Sequence, residues 1–206
     1  MSGGGQLRLS GGRRLLSPGG RTARPTTSRV REAVMNILAP YLQDCRWLDL
    51  CSGSGVMGCE ALQRGARCVV AVDQDPQCIR VSRSNLNAVA ASLTPAPEIG
   101  TERRELIAWL RKGWSHAPFD IVYFDPPYDK DLYEPCLSAL AEGDWLHQDS
   151  LVVCEHRSNQ KPGPGSGWSV LDQRRYGISS VMLLSPPERC HHGGTGSMPP
   201  RTDPSA

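Results

Sequence analysis

Short apolar runs alternate with amphipathic segments along most of the 206-residue chain. Nearly continuous apolar runs are typical of buried parallel strands, and apolar residues at helical spacing are typical of helices packed on a sheet. Two strand-like runs lie next to each other near the end. This pattern predicts an α/β doubly wound sheet that closes in an antiparallel hairpin. Strands are predicted at 46–51, 67–73, 98–101, 119–124, 150–156, 168–176 and 178–184, and helices at 56–64, 76–89, 102–112 and 133–141.

The segment before the first core strand predicts two further elements. Residues 6–16 carry leucines on both sides of a Ser-Gly-Gly turn, which is typical of a short hairpin. A helix follows, with Thr27 or Ser28 as its N-cap and Pro40 at its end. The last residues are rich in Pro, Gly, Ser and Thr, a composition that favours disorder. The expected units are a basic N-terminal extension (1–27), a main domain (28–184) and a disordered tail (185–206).

Charge is distributed unevenly along the chain. Residues 1–31 contain seven arginines and no acidic residue, whereas the rest contains 16 basic and 21 acidic side chains. A basic extension on a mildly acidic body favours a polyanionic partner such as a nucleic acid, although a solvated basic tail has the same composition. Arg13 and Arg14 are candidates for phosphate contacts. The segment has no aromatic residue before Tyr41, so it is not expected to stack on bases.

The strand predicted at 119–124 runs directly into Asp125-Pro126-Pro127-Tyr128, where two consecutive prolines end it. The resulting rigid loop carries a carboxylate, backbone carbonyls and one aromatic ring. Asp125 and the Pro126 carbonyl can accept both hydrogens of an exocyclic amine on a nucleobase, and Tyr128 can stack on a base that has left its helix. The alternative is an ordinary proline-rich turn with Asp125 as a cap. The catalytic interpretation gains weight if the chain also contains a methyl-donor site.

A glycine-rich loop, Asp-Leu-Cys-Ser-Gly-Ser-Gly from Asp49 to Gly55, follows the first core strand and opens a helix. Its glycines let the backbone pass close to a ligand, and the helix start offers free N–H groups. Asp73 ends the next strand, where an acid can bind two ribose hydroxyls. A nicotinamide site also fits these features, but Asp49 would face a pyrophosphate of like charge. A cationic donor such as S-adenosylmethionine tolerates Asp49, which is otherwise a buried cap for the loop's own N–H groups.

Together these motifs resemble the S-adenosylmethionine-dependent amino methyltransferases. That grouping has an Asp-Leu-x-x-Gly-Ser-Gly loop, an acid at the end of the second strand and Asp-Pro-Pro-Tyr after the fourth. The stretch Arg24-Pro-Thr-Thr-Ser-Arg-Val-Arg-Glu32, with the preceding Gly-Arg-Arg-Leu-Leu-x-Pro pattern, is similar to the RsmD family, which methylates guanine N2 in bacterial 16S ribosomal RNA. The resemblance extends over roughly residues 7–184.

The resemblance implies a Rossmann-like class I methyltransferase with a seven-stranded, mostly parallel sheet. It implies S-adenosylmethionine as cofactor, no metal, and a monomer that acts on 16S rRNA in the small ribosomal subunit or an assembly intermediate. Cys51 and Ser52 stand where the family usually has an aromatic residue and alanine. The third strand lacks the usual Asp or Asn, which leaves Glu105 or a backbone group to meet the adenine amine. The implied donor contacts are Asp49, Cys51, Gly53, Gly55, Asp73 and Thr26, the implied guanine contacts are Asp125, Pro126, Pro127 and Tyr128, and the implied RNA contacts include Arg24 and Arg29.

Other functions stay open from the sequence. A DNA adenine-N6 methyltransferase fits the Asp125 loop equally well, but the chain has no added domain to read a DNA sequence. A glutamine-N5 methyltransferase typically carries Asn in place of Asp125. A non-catalytic RNA-binding scaffold of the same fold would not need intact donor and acceptor loops.

Composition narrows the class of protein further. The chain has no run of 18 apolar residues, which argues against a membrane span. Its eight cysteines include no CxxC pair, and Cys190-His191-His192 lies in the tail. A reduced, cytoplasmic protein is therefore expected rather than a disulfide-bonded or zinc-binding one.

Overall fold

The computed structural model describes residues 6–19, 27–128 and 130–188. The predicted roles of Arg24 and Thr26, the Cys190-His191-His192 stretch and most of the predicted tail lie outside these residues. Helices are α1 (Ser28–Ile37), α2 (Val56–Gln63), α3 (Pro76–Ala90), α4 (Leu106–Leu110) and α5 (Tyr133–Glu142), with a 3-10 turn at Ala39–Tyr41. Strands are β1 (Arg46–Leu50), β2 (Cys68–Asp73), β3 (Glu98–Arg103), β4 (Phe119–Phe124), β5 (Leu146–Arg157), β6 (Ser169–Tyr176) and β7 (Ser179–Ser185).

The strands form one sheet in the order β3-β2-β1-β4-β5-β7-β6. The first five strands of this order are parallel, and β7 is antiparallel to both β5 and β6. This confirms the predicted seven-stranded α/β sheet with a C-terminal antiparallel hairpin. The strand order reverses between β1 and β4, and open α/β sheets bind ligands beyond the carboxyl ends of the strands at such a point.

Three elements differ in extent from the prediction for local reasons. Strand β3 extends to Arg103, which pairs with Asp73, so two residues predicted as helix belong to the sheet. Helix α4 begins later than expected, where the Glu105 side chain caps it by accepting hydrogen bonds from the amides of Ile107 and Ala108 at 3.3 and 2.8 Å. Strand β5 begins earlier than expected because a register shift against β4 lets its first residue, Leu146, pair with Phe119.

The core lies on both faces of the sheet, as β1 illustrates. Trp47 packs in the cluster that contains residues of α1, α2 and α3, while Leu48 and Leu50 pack in the cluster that contains residues of α4 and α5. Because both faces are covered, the central strands are almost continuously apolar, as the pattern predicted. No helix of the described residues is long and apolar enough to cross a membrane. The seven cysteines in the described ranges are free thiols.

The N-terminal hairpin packs on this domain. An antiparallel bridge joins Arg8 and Arg14, and Glu60 of α2, which is fully buried, accepts the Ser10 N–H at 2.9 Å. Glu60 also lies 3.8 Å from the guanidinium of Arg31 in α1. The hairpin contributes three buried leucines to the cluster around α1 and α2, namely Leu7, Leu9 and Leu15. The hairpin therefore shares the domain core, and the domain division at residue 27 stays a prediction.

Candidate functional site

A cavity of about 890 Å³ opens at the carboxyl ends of the parallel strands. The loops after β1, β2, β3 and β4 supply most of its wall, and the end of β5 and the N-terminal segment complete it. Asp49 and Asp73, predicted to hold a donor, line the same cavity as Asp125 and Tyr128, predicted to hold an acceptor. The fold thus brings together two motifs that lie far apart in the sequence.

The loop after β1 turns through three left-handed backbone positions. Cys51, Gly53 and Gly55 have φ angles of 60°, 53° and 72°. Gly53 lines the cavity and donates its N–H to the Asp73 carboxylate at 2.9 Å, which ties this loop to the end of β2. Gly55 precedes α2, and a Cβ at this position would lie 2.9 Å from the Cβ of Ser82 in α3. Close packing against α3 therefore requires a glycine here, and a contact of Gly55 with the donor stays a prediction.

Asp49 is buried in β1 and faces the cavity. Its carboxylate accepts a hydrogen bond from the Gly58 N–H of α2 at 3.2 Å. Burial raises the pKa of Asp49 to about 8; the Gly58 hydrogen bond lowers it, and the nearby Asp73 adds to the rise. A carboxylate in this state gains most from a positively charged neighbour, because a cation stabilises its ionised form.

Asp73, the last residue of β2, already accepts hydrogen bonds from the backbone. The carboxylate accepts the N–H groups of Gly53 and Asp75, each at 2.9 Å. A carboxylate has about four acceptor positions, so Asp73 can also accept from a pair of hydroxyls in the cavity. Burial raises its pKa; hydrogen bonds from the backbone amides of Asp75, Gly53 and Gln74 oppose the rise, and the charge of Asp75 adds to it. Asp75, which caps α3 as predicted, lies beside it on the cavity wall.

The loop after β4 presents its residues in different environments. Asp125 is half-buried and lines the cavity, and Pro126 behind it is buried while Pro127 is exposed. All four predicted catalytic residues, Asp125 to Tyr128, line the cavity. The loop therefore brings its carboxylate and its aromatic ring to one cavity, while the Pro127 carbonyl accepts the Lys130 N–H at 3.1 Å. The catalytic roles of these four residues stay predictions.

Three tyrosines hold this loop, and all three bind Glu155 near the end of β5. The hydroxyls of Tyr123 and Tyr128 donate to the Glu155 carboxylate at 2.7 and 3.3 Å, and that of Tyr133 donates to its backbone carbonyl at 2.7 Å. Tyr128 also shares a 3.3 Å hydrogen bond with Ser179 of β7. Burial raises the pKa of Tyr128, so its hydroxyl stays protonated as a donor. Glu155 thereby fixes residues before, within and after the loop.

The sequence prediction did not include Glu155, Ser179, Lys130 or Arg157, all of which line the cavity. One signal for Glu155 was present, since it is an acid in the otherwise apolar strand Leu-Val-Val-Cys-Glu. A charged residue that is 3% exposed in such a strand requires polar partners.

The family model described as "Conserved hypothetical protein 95" matches residues 4–185. A "Ribosomal RNA small subunit methyltransferase D" from Escherichia coli K12 is 34% identical over 174 residues, 82% of this chain and 84% of that protein. Its namesake from Haemophilus influenzae is 31% identical over 160 residues, 78% of this chain and 81% of that protein. The chain belongs to the RsmD family of methyltransferases. The solved structure of a putative methyltransferase from Escherichia coli is 30% identical to this chain and superimposes with a TM-score of 0.76. The match covers 90% of this chain and 100% of that structure's chain.

Family membership raises the question of whether the cavity fits S-adenosylmethionine. The side-chain oxygen of Ser52, on the cavity wall, is buried and has no hydrogen-bond partner in the described part of the chain. Asp73 offers acceptors for two ribose hydroxyls, and Asp49 offers a carboxylate that a cation stabilises. These groups match the hydroxyls and the positive charge of this donor. Glu105, a candidate for the adenine amine, also lines the cavity, although its carboxylate caps α4.

The predicted RNA contacts of this family member lie in different surroundings. Arg13 donates to the carbonyl of Ala88 at 2.6 Å, near the C-terminal end of α3, which docks the hairpin on that helix. Arg14 in the hairpin and Arg29 in α1 are exposed. None of these three arginines lines the cavity, and their contact with RNA stays a prediction.

Proposed function

We propose that this methyltransferase transfers a methyl group from S-adenosylmethionine to the exocyclic N2 amine of a guanine in small-subunit ribosomal RNA. The observation that carries the proposal is the convergence of Asp49 and Asp73 with Asp125 and Tyr128 on one cavity. The names of the relatives support the class of RNA, and the N-terminal motif supports guanine N2. The proposed partner is 16S rRNA in the small ribosomal subunit or an assembly intermediate, and the enzyme acts as a cytoplasmic monomer.

At the donor end of the cavity, Asp73 accepts the ribose hydroxyls and Asp49 complements the positive charge. When bound, S-adenosylmethionine would supply a methyl group on a sulfonium: the nucleophile bonds to the methyl carbon, the carbon–sulfur bond breaks, and the sulfur leaves with the electron pair as the neutral thioether of S-adenosylhomocysteine. Gly53 and Cys51 form the turn that brings the backbone close to the ligand. The bond between Gly53 and Asp73 keeps the two donor-binding segments in one arrangement.

At the acceptor end, the Asp125 carboxylate and the Pro126 carbonyl accept the two N–H groups of the guanine amine. These bonds reduce delocalisation of the nitrogen lone pair into the ring and direct it at the methyl group. The product ammonium is strongly acidic and loses its proton readily, so Asp125 needs no tuned pKa. Proximity and orientation supply most of the rate enhancement, about 7–11 kcal/mol at best. Tyr128, fixed by Glu155 and Ser179, stacks on the inserted base.

Transfer of labelled methyl groups tests this function. S-adenosylmethionine is incubated with the protein and, separately, with unmethylated small ribosomal subunits, naked 16S rRNA and double-stranded DNA, and the product nucleoside is identified. We expect N2-methylguanosine in the ribosomal RNA. N6-methyladenine in DNA would contradict the proposed RNA substrate but would still support methyl transfer to an exocyclic amine. Absence of transfer to all three acceptors, with the donor still bound, would favour a non-catalytic scaffold.

A further inference from the structure

Among the described residues, three cationic side chains line the cavity, and each lies at or just after the end of a different parallel strand. Arg104 follows β3, Lys130 lies in the loop after β4, and Arg157 is the last residue of β5. Arg104 forms an ion pair with Glu102 at 2.9 Å. Lys130 and Arg157 are exposed, and neither forms an ion pair with a carboxylate in the described ranges.

Both of these cations lie at the acceptor end of the cavity. The guanidinium carbon of Arg157 is 5.5 Å from the centre of the Tyr128 ring, a cation–π contact. Lys130 belongs to the loop after β4 itself, where its N–H donates to the Pro127 carbonyl at 3.1 Å, and it lines the cavity. One positive charge therefore lies against the ring on which the target base is proposed to stack, and the other belongs to the loop that carries this ring.

We propose that Lys130 and Arg157 bind the backbone phosphates of the RNA strand that carries the target guanine. The inference rests on the proposed function, because it takes the base that enters the cavity to be part of a ribosomal RNA. A nucleotide whose base stacks on Tyr128 brings its own phosphates to this end of the cavity. Arginine suits the position, since its planar guanidinium stacks on a ring and also binds phosphate in a bidentate manner.

The other charges on the cavity wall favour such a pair. Of the residues that the structure describes there, six are acids: Asp49, Asp73, Asp75, Glu105, Asp125 and Glu155. An acid-rich wall is favourable for a cationic donor, but it repels a phosphate backbone that approaches the same opening. Positive side chains at the point of entry offset this repulsion and position the strand without reading its sequence.

Three of the N-terminal arginines that the charge distribution indicated are engaged within the domain, whereas Arg14 and Arg29 stay exposed. Arg8 donates to the carbonyl of Gly12 within the hairpin at 3.1 Å, and Arg13 donates to Ala88. Arg31 is buried and donates to the carbonyl of Arg8 at 2.7 Å. These side chains hold the hairpin on the domain, whereas Lys130 and Arg157 face the opening.

The test compares two double variants with the same change of charge. Lys130→Gln with Arg157→Gln removes the proposed pair, and Arg111→Gln with Lys112→Gln removes one arginine and one lysine at the far end of α4. That helix leads from the carboxyl end of β3 back towards the amino end of β4, so the control pair lies away from the cavity, which opens at the carboxyl ends of the strands. Both residues of the control are exposed.

Binding to unmethylated small ribosomal subunits is measured over a series of salt concentrations. Two lost phosphate contacts reduce the slope of log K against log salt by about 1.5–2, and the affinity at low salt should fall at least about tenfold. The control pair should keep the wild-type slope and affinity. Arg157→Lys, which keeps the charge, should keep most of the slope.

An unchanged slope in the Lys130 and Arg157 variant, or an equal change in the control, would overturn the proposal. A loss of affinity for S-adenosylmethionine in place of the change in slope would also overturn it, because the two cations would then serve the donor. Methyl transfer by the wild type to the same subunits is measured in parallel. Its absence would count against the proposed function, whereas transfer with an unchanged slope would count only against this pair.

Discussion

The two halves of the cavity are held in place by different kinds of contact. In the half proposed to bind the donor (the donor half), which comprises the loop after β1 and the end of β2, carboxylates bind backbone amides, as Asp73 binds Gly53 and Asp49 binds Gly58. In the half proposed to bind the acceptor (the acceptor half), which comprises the loop after β4, tyrosine hydroxyls bind Glu155 of β5. The donor half depends on backbone conformation, and the acceptor half depends on side chains from neighbouring strands that are distant in sequence.

This difference predicts that substitutions in one half impair the function of that half without impairing the other. Substitutions that change backbone conformation in the donor half should reduce folding stability and donor affinity together. Substitutions behind the acceptor loop should reduce methyl transfer while the donor binds normally. A side chain that contacts the reacting amine directly should have the largest effect on transfer and the smallest on either stability or donor binding.

Asp125→Ala should lower methyl transfer by about 10²–10³-fold or more, because the acceptor amine loses the group that orients it. Donor affinity, measured by calorimetric titration, should stay within about threefold of the wild type. Asp131→Ala is the matched control, since Asp131 is an exposed aspartate in the same connection that does not line the cavity. Ordinary turnover by the Asp125→Ala enzyme would refute the role assigned to this carboxylate.

Gly55→Ala tests the donor half and should lower the free energy of unfolding by about 2–4 kcal/mol. The new methyl group would be strained at a φ of 72° and would lie 2.9 Å from the Cβ of Ser82. Gly12→Ala separates the two causes, because Gly12 has a φ of 82° and nothing within 4 Å of an added Cβ. Gly12→Ala should lower the free energy of unfolding by only about 1–2 kcal/mol. Equal losses in denaturant unfolding of both variants would show that the close approach to α3 is unimportant.

Glu155→Ala tests the acceptor half and should lower kcat/KM for the RNA substrate by about tenfold. The Tyr128 hydroxyl would lose its hydrogen bond to Glu155 and keep that to Ser179. The buried Tyr123 hydroxyl would lose its 2.7 Å bond, which should cost about 1–3 kcal/mol of stability. Glu155→Gln keeps an acceptor oxygen and should restore most of the activity. Affinity for S-adenosylmethionine should be unchanged in both variants. If donor affinity falls as much as transfer, the halves are not independent.

The contrast between the halves also explains which features could be predicted from the sequence. The glycines of the β1 loop, the cap formed by Asp75 and the two prolines after β4 act on their own backbone, so the sequence indicated where the strands end and α3 begins. Glu155 acts on tyrosines across the sheet, and these contacts depend on the pairing of β4, β5 and β7.

The partners of long basic side chains were likewise not predictable from the sequence. The charge pattern of the N-terminus does not reveal that Arg13 reaches the carbonyl of Ala88 or that Arg31 packs beside Glu60. Nor does it reveal that Lys130 and Arg157, from different segments, reach one opening. Local patterns predict backbone turns well, whereas the partner of a long side chain is decided by tertiary packing.

The smallest expected effect on ligand binding concerns pH and belongs to the donor half. Burial raises the pKa of Asp49 from 3.8 to about 8, so between these values the folded protein holds a proton that the unfolded chain has released. Stability without donor should therefore fall as pH rises from about 4 to about 8. A cationic donor favours the ionised carboxylate, so donor affinity should rise as pH increases through about 8 and level off only above that range. Calorimetric titration in two buffers with different heats of ionisation measures both the affinity and the released proton. Asp49→Asn should remove the pH dependence of donor affinity that comes from this carboxyl group and leave that of the donor's own amine. If affinity in this variant depends on pH as in the wild type, another group is responsible for the titration.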